Sequence, residues 1–411
     1  MPELLDIAVE LVESIIDHLD PLDVSNFRLV SRAADDYAAR AFKGIFLPSC
    51  RVLLCDPVNL HRTLALARHP KFGPCIRILF IFINYVSIPE KWGERVDEHG
   101  TSPKERGESP TSFEKKFMET QQRLIMTGDD EKALVHIFSA LKVHGKLRGI
   151  GLNDATTDGE DCPPPVRMCK ILDECEERVF VPDADDDRPF RIVMDSLAHT
   201  GLPIHNLRMF CNTWGLPMPL INGSEEKLRT MKKALHHTET LALRIADWEE
   251  ADQLDGGHFS SPCIRTVAAL PQLRVLQLFV EPNSCLHRSG LYSGRDLCEC
   301  RPMHELFEAV MPNLEILMLN NSIIDFEELK KFVKRQPALR ILELNGVLVR
   351  GFNVEELLEI QERYRVTDDM NEEETKQQVE RKKQAMENKT TKFREEIGVV
   401  GSTDVLFSLT F

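Results

Sequence analysis

The sequence predicts a mixed α/β chain in three parts: a small helical module at the start, an irregular array of strands and helices through the middle, and a charged helix near the end. Three observations carry this expectation. Apolar residues in the first 48 positions recur at helical spacing. A short apolar pattern, Leu-x-x-Leu-x-Leu or close to it, returns several times between residues 147 and 345. From Thr367 to Glu396 the chain is mostly Glu, Lys, Arg, Gln and Asn.

With 411 residues, the chain has room for two domains, or for one small domain and an extended array. A formal charge of −15 argues against non-specific nucleic-acid binding, which needs Lys and Arg clustered against phosphates. No apolar run reaches the roughly 18 residues needed to cross a bilayer. Glu3, Asp6 and Glu10 also set the start apart from a basic-then-apolar signal segment. The expectation is a cytoplasmic or nuclear protein with neither membrane nor nucleic acid among its partners. The eleven cysteines, scattered singly, then read as reduced thiols and small core residues.

In the helical module, Leu4, Ile7, Leu11, Ile15 and Leu19 fall close to one stripe of a 3.6-residue period. Pro21 is expected to end that helix, because proline cannot donate into the ladder and crowds the preceding turn. Phe27, Val30, Ala34, Tyr37 and Ala41 repeat the pattern on a second helix, with Asp23 or Ser25 available as its N-cap. Two or three short helices bury little by themselves, so such a module completes its core against something else.

This run resembles an F-box. The family pattern is roughly Leu-Pro-x-Glu-Leu, then Ile and Leu at helical spacing, an acidic-Pro turn and a Val-Ser-Arg stretch. Glu10, Leu11, Ile15, Leu19, Asp20, Pro21, Leu22, Asp23, Leu29, Val30, Ser31 and Arg32 agree with it. Ile7 stands in the place of the leading Leu, and Ala8 in the place of the usual Pro. The second departure removes a residue pre-shaped for the first helical turn, and a surface that the family's adaptor touches.

The resemblance implies a role and not a reaction. F-box proteins dock on the small Skp adaptor of a cullin–RING ubiquitin ligase and present substrates with the rest of the chain. On that basis Ile7, Ala8, Leu11, Ile15, Leu19, Pro21, Leu22 and Val30 would line the adaptor contact. Each aliphatic covered there would contribute roughly 1.5–3 kcal/mol before association costs. The plain alternative is an amphipathic helical hairpin packed on its own domain.

Beyond the module, Arg51–Leu54 reads as a strand, and Leu60, Leu64 and Ala67 as one face of a helix ending near His69-Pro70. Phe72-Gly73-Pro74 turns the chain into Ile76–Ile81, an apolar run with β-branched residues that suits a buried strand. The leucine pattern follows at Leu147–Asn153, Leu207–Asn212, Thr240–Ile245, Leu273–Leu278, Leu314–Asn320 and Leu339–Asn345. The last two copies begin 25 residues apart, inside the leucine-rich-repeat range. The gap of 41 before them holds an insertion.

The physical logic is that of a solenoid, in which each strand carries alternating leucines into a core that stacked neighbours complete. Pro271, Pro312 and Pro337 sit just before the strong strands, where they end a helix without harming the ladder. This part resembles the divergent leucine-rich-repeat-like regions that follow F-boxes of the fungal type. The alternative is an α/β domain with chance matches to the pattern.

The expected boundaries are therefore 1–48 for the F-box, 49–352 for the array, 353–397 for the charged helical segment and 398–411 for a tail. Residues 88–112, 153–165, 182–189 and 282–302 read as inserted loops, and Phe113 to Val143 as helix broken at Gly128. The charged segment has too few apolar positions for a coiled coil. Val405 to Phe411 is apolar enough to dock as a strand.

Asp183 to Asp187 lack the spacing, central Gly and terminal Glu of a calcium loop. Cys285, His287, Cys298, Cys300 and His304 are zinc-type ligands without a standard zinc spacing, so an ordinary insertion is expected, and no metal or cofactor. There is no phosphate-binding loop and no Gly-x-Ser-x-Gly elbow, and His236-His237 lacks a third ligand at helical spacing. The chain is not expected to be an enzyme. Two function classes remain. One is a substrate receptor, with an unidentified target protein held by the concave strands or inserted loops and catalysis supplied as proximity by other subunits. The other is an interaction scaffold that binds the adaptor without ubiquitin transfer.

Overall fold

Leucine alternation becomes parallel strand wherever the structure describes it. In this computed structural model the described residues are 8–83, 85–86, 112–153, 179–180, 188–210, 224–245, 262–280, 306–320, 323–345, 347–350 and 405–407. The chain is mixed α/β and divides into two units, Met1–Val181 with His199–Ile204, and Pro182–Ala198 with His205–Phe411. The expected charged segment at 353–397, the insertion at 282–302, and nearly all of the loops at 88–112, 153–165 and 182–189 lie outside the described residues.

The first unit opens with three helices, α1 (Val9–Ile16), α2 (Pro21–Arg28) and α3 (Arg32–Phe46). The second apolar set is therefore not on one helix: Phe27 belongs to α2, Ala34, Tyr37 and Ala41 to α3, and Val30 to the turn between them. α1 does not run to Pro21: the Asp17 N–H closes on the Glu13 carbonyl at 2.9 Å and the His18 N–H on the Ile15 carbonyl at 3.1 Å. Asp20 is extended, as a residue before proline prefers, and its carboxylate accepts the Asp23 N–H to cap α2, with Pro21 in the first turn. Ser31, also extended, accepts the Ala34 N–H at 3.1 Å and starts α3. The caps are thus Asp20 and Ser31 rather than Asp23 or Ser25.

There follow β1 (Ser49–Leu53), α4 (Pro57–Arg68), β2 (Ile78–Phe82), β3 (Tyr85–Val86), α5 (Ser112–Thr127), α6 (Asp129–His144), β4 (Gly149–Asn153) and β5 (Val179–Phe180). Strands β1, β2 and β4 pair in parallel in that order, while β3 and β5 form an antiparallel pair. Cys50, Leu79 and Ile150 share one register row, Val52, Ile81 and Leu152 the next, and all six are buried. Gly128 separates α5 from α6 at φ 64°, a left-handed conformation that costs a residue with a Cβ more than glycine. Gly73 is required for a different reason. A Cβ there would meet the Ala67 carbonyl and the His144 ring, each at 2.4 Å, where that ring nitrogen and that carbonyl already lie 2.9 Å apart.

The second unit holds most of helix α7 (Arg188–Thr200), then β6 (Asn206–Phe210), α8 (Glu225–Ala234), β7 (Thr240–Ile245), α9 (Pro262–Ala268), β8 (Val275–Val280), β9 (Ile316–Asn320), β10 (Ile323–Asp325), α10 (Phe326–Arg335), β11 (Ile341–Asn345), β12 (Val347–Arg350) and β13 (Val405–Phe407). Arg188 and Pro189, expected within the 182–189 loop, already belong to α7. Strands β6, β7, β8, β9 and β11 pair in parallel in chain order. Leu207, Leu241, Leu276, Leu317 and Leu342 form one buried row across them. Leu243, Leu278, Leu319 and Leu344 form another. A smaller sheet pairs β10 with β12 in parallel and β12 with β13 antiparallel, which brings residues of the C-terminal tail onto this unit.

One backbone device recurs at the start of these strands. The His205 carbonyl accepts the N–H groups of Glu239 and Thr240; Glu239 does the same for Arg274 and Val275, Arg274 for Glu315 and Ile316, and Glu315 for Arg340 and Ile341. Pro48 and Arg77 repeat it in the first unit. Side chains of the same row pair as well: His205 Nδ1 lies 3.0 Å from Glu239, and Arg274 grips Glu315 through two bonds of 2.9 and 3.0 Å.

Candidate functional site

The α1–α3 module builds its own small core and leaves a second apolar face uncovered. Val12, Ile16, Val24 and Ala38 are fully buried, with Leu19, Phe27, Tyr37, Ala41 and Phe42 packed around them. Polar contacts hold the helices in place: Arg28 pairs with Asp35 and lies 3.7 Å over the Phe42 ring, and Arg40 approaches Glu13 at 3.6 Å. Among the described residues the module packs the Val12 and Ile16 stripe of α1 and leaves the other in the open. Leu11 is 58 % exposed and Ile15 42 %, one turn apart on the same face.

The residues expected at the adaptor contact are distributed as follows. Leu11 and Ile15 stand together in the open. Ala8 is exposed and precedes α1 without a side-chain cap, its carbonyl accepting from Leu11 and Val12. Val30, in the turn between α2 and α3, is 73 % exposed. Leu19 is only half-buried but packs on the module's own core, so it is shared between inside and outside. Ile7 and the side chains of Pro21 and Leu22 lie outside the described residues. Sequence reasoning did not single out Leu29, which is 83 % exposed beside Val30. The signal for Leu29 was present, since it directly precedes Val30 and ends a helix whose next cap is only two residues on.

In the second unit, the strand face opposite the leucine rows is mixed. Thr240, Val275, Ile316 and Ile341 lie in register and half-buried, and Gln277, Met318 and Glu343 form the neighbouring row. Such a face offers both apolar area and hydrogen bonds to a protein partner.

The remaining candidates bring little chemistry together. His236 and His237 meet edge to face at 5.0 Å and are exposed. Among the described residues no group of three or more His, Cys, Asp or Glu is placed to hold a metal ion. The cysteine–histidine insertion and the aspartate run lie outside them. Burial pushes the Cys50 thiol up to about 11, against weaker opposing hydrogen bonds from Thr63 and the backbone, so it stays protonated and a poor nucleophile near neutral pH. No helix among the described residues is long and apolar enough to cross a membrane.

Compared with known protein families and with curated proteins, the sequence matches no family model and no curated protein.

Proposed function

We propose that this chain is a substrate-receptor subunit of a cullin–RING ubiquitin ligase. Helices α1–α3 act as the F-box that docks on a Skp-type adaptor, and the strand array, an irregular leucine-rich-repeat-like solenoid, holds the target protein. One observation carries the docking half: Leu11 and Ile15 face outward, while Val12 and Ile16, one position further on, fill the module's core. Large aliphatics at adjacent positions of one short helix serve two interiors, and the module supplies only one. The F-box pattern around these residues suggests which protein supplies the other. Chain-order parallel pairing and the repeated shared carbonyl support the solenoid half, because both make each strand the template for the next. This reading places the protein in the cytoplasm or nucleus, where those ligases act.

Full-length tagged chain, co-expressed with a Skp-type adaptor and passed through cell extract, tests the proposal. The wild type should retain the adaptor together with cullin and RING subunits. Leu11→Asp, at an exposed position, should weaken adaptor binding at least about thirtyfold. Val143→Asp, exposed on α6, should not. Wild type that holds no adaptor would overturn the reading, and adaptor held without cullin would leave only the scaffold.

A further inference from the structure

Helices α4, α5 and α6 of the first unit surround a groove of about 320 Å³ that the docking reading does not use. Each helix reaches it through positions three or four apart, the spacing that puts side chains on one helical face. The floor is apolar: Leu60 and Leu124 are buried, and Leu64 is half-buried beside them. The rim is cationic or hydrogen-bonding. His61 from α4, Arg123 from α5 and His136 from α6 all line the groove and are all exposed.

The charge balance of the rim is set by which groups are already occupied. Lys132 is tied to Asp129 at 2.9 Å and to the Thr127 carbonyl at 3.1 Å. Hydrogen bonds from Lys132 and Thr127, with the nearby charges of Lys132 and Arg123, hold the Asp129 carboxyl below its usual range. By contrast, among the described residues the Arg123 guanidinium and the two imidazoles make no hydrogen bond or ion pair. In a chain of net charge −15, this groove presents free donors and a net positive rim, Arg123 and Lys132 against the single carboxylate of Asp129, over a leucine floor.

We propose that the groove binds a small anion with a branched aliphatic body. Its carboxylate or phosphate head is held by Arg123, His61 and His136, and its body lies on Leu60, Leu64 and Leu124. The volume lies at the small end of ligand sites, and an apolar lining with a few convergent polar groups is their usual construction. A guanidinium fork suits either head group. The proposal is independent of adaptor docking.

The test uses the full chain with isotope-labelled histidine, the His61 and His136 ring signals being assigned through His61→Gln and His136→Gln. It is titrated separately with isocaproate, its uncharged amide, isoamyl phosphate and inorganic phosphate. Isocaproate or isoamyl phosphate should shift both ring signals saturably, the tighter of the two identifying the head group. The amide should shift neither, and inorganic phosphate should bind more weakly than its ester. Arg123→Gln should weaken binding at least about tenfold while leaving the unfolding temperature unchanged. The proposal is overturned if neither anion gives a saturable shift, if the amide matches the carboxylate, or if bare phosphate matches the ester.

Discussion

The N-terminal helices and the strand array face the same problem, how to bury aliphatic side chains, and solve it to different degrees. Across β6, β7, β8, β9 and β11 each buried strand leucine has a leucine in register on a neighbouring strand. Leu276 sits between Leu241 and Leu317, and repetition closes the core. The helical module has no such neighbour. It covers Val12 and Ile16 and leaves Leu11 and Ile15 in the open. An exposed aliphatic is ordinary on any surface. It becomes informative where adjacent positions show that the module could cover one stripe of a helix and not the other.

The largest effect expected from this contrast is a difference in the cost of the same truncation. Leu317→Ala removes side-chain volume from a fully buried position in the middle of a row and should lower stability by about 2–5 kcal/mol. Leu11→Ala should stay within about 0.5 kcal/mol of the parent. Denaturant unfolding of both variants measures the pair. If Leu11→Ala proves as costly as Leu317→Ala, the outer face of α1 is covered by the chain itself and is not free to dock.

The array was the more legible of the two regions. Leucine alternation marks β4, β6, β7, β8, β9 and β11 directly, because strands buried on one face write their period into the sequence. β1 and β2 are legible only as short apolar runs, since Cys50, Val52, Leu79 and Ile81 keep the inward alternation with few leucines. The helices were read less well. Leu19 continues the apolar stripe past the true end of α1, and periodicity cannot detect that Asp17 closes the helix first. Nor can it decide, with apolar residues at both 11/15 and 12/16, which stripe goes inside. That choice depends on α2 and α3, through Val24 and Ala38. The groove of His61, Arg123 and His136 was beyond sequence reasoning, because it exists only once α4, α5 and α6 pack together.

A mid-sized effect sharpens the contrast. Ser31→Ala removes the acceptor for the Ala34 N–H and should cost about 1 kcal/mol. Only Val12, Ile16 and Val24 of the module's buried core stand behind α3, so hydrogen exchange should speed up locally in residues 32–46 while the array is unaffected. Asp325→Ala removes a comparable cap, which accepts from Glu327 and Glu328. There α10 is anchored by buried Phe326, Leu329, Phe332 and Val333, so its exchange should follow global unfolding. Equal local opening in both helices would mean that the array is no better closed than the module.

The smallest expected effect concerns what holds the array's rows in register. Arg274 and Glu315 link the starts of β8 and β9 through two bonds, a geometry that favours specificity. Their side chains remain 53 % and 30 % exposed, so water and salt screen the pair. A double-mutant cycle with Arg274→Ala and Glu315→Ala should therefore give a coupling of only about 0.2–1 kcal/mol, declining as salt is added. The double variant should keep the β8–β9 pairing, because Leu276 against Leu317 and Leu278 against Leu319 survive it along with the backbone bonds from the Arg274 carbonyl. A salt-insensitive coupling well above that range would make charge, and not the leucine rows, the main tie between these strands. The array would then be held by polar links, as α2 and α3 are by Arg28 and Asp35, and its self-closure would no longer distinguish it from the helices.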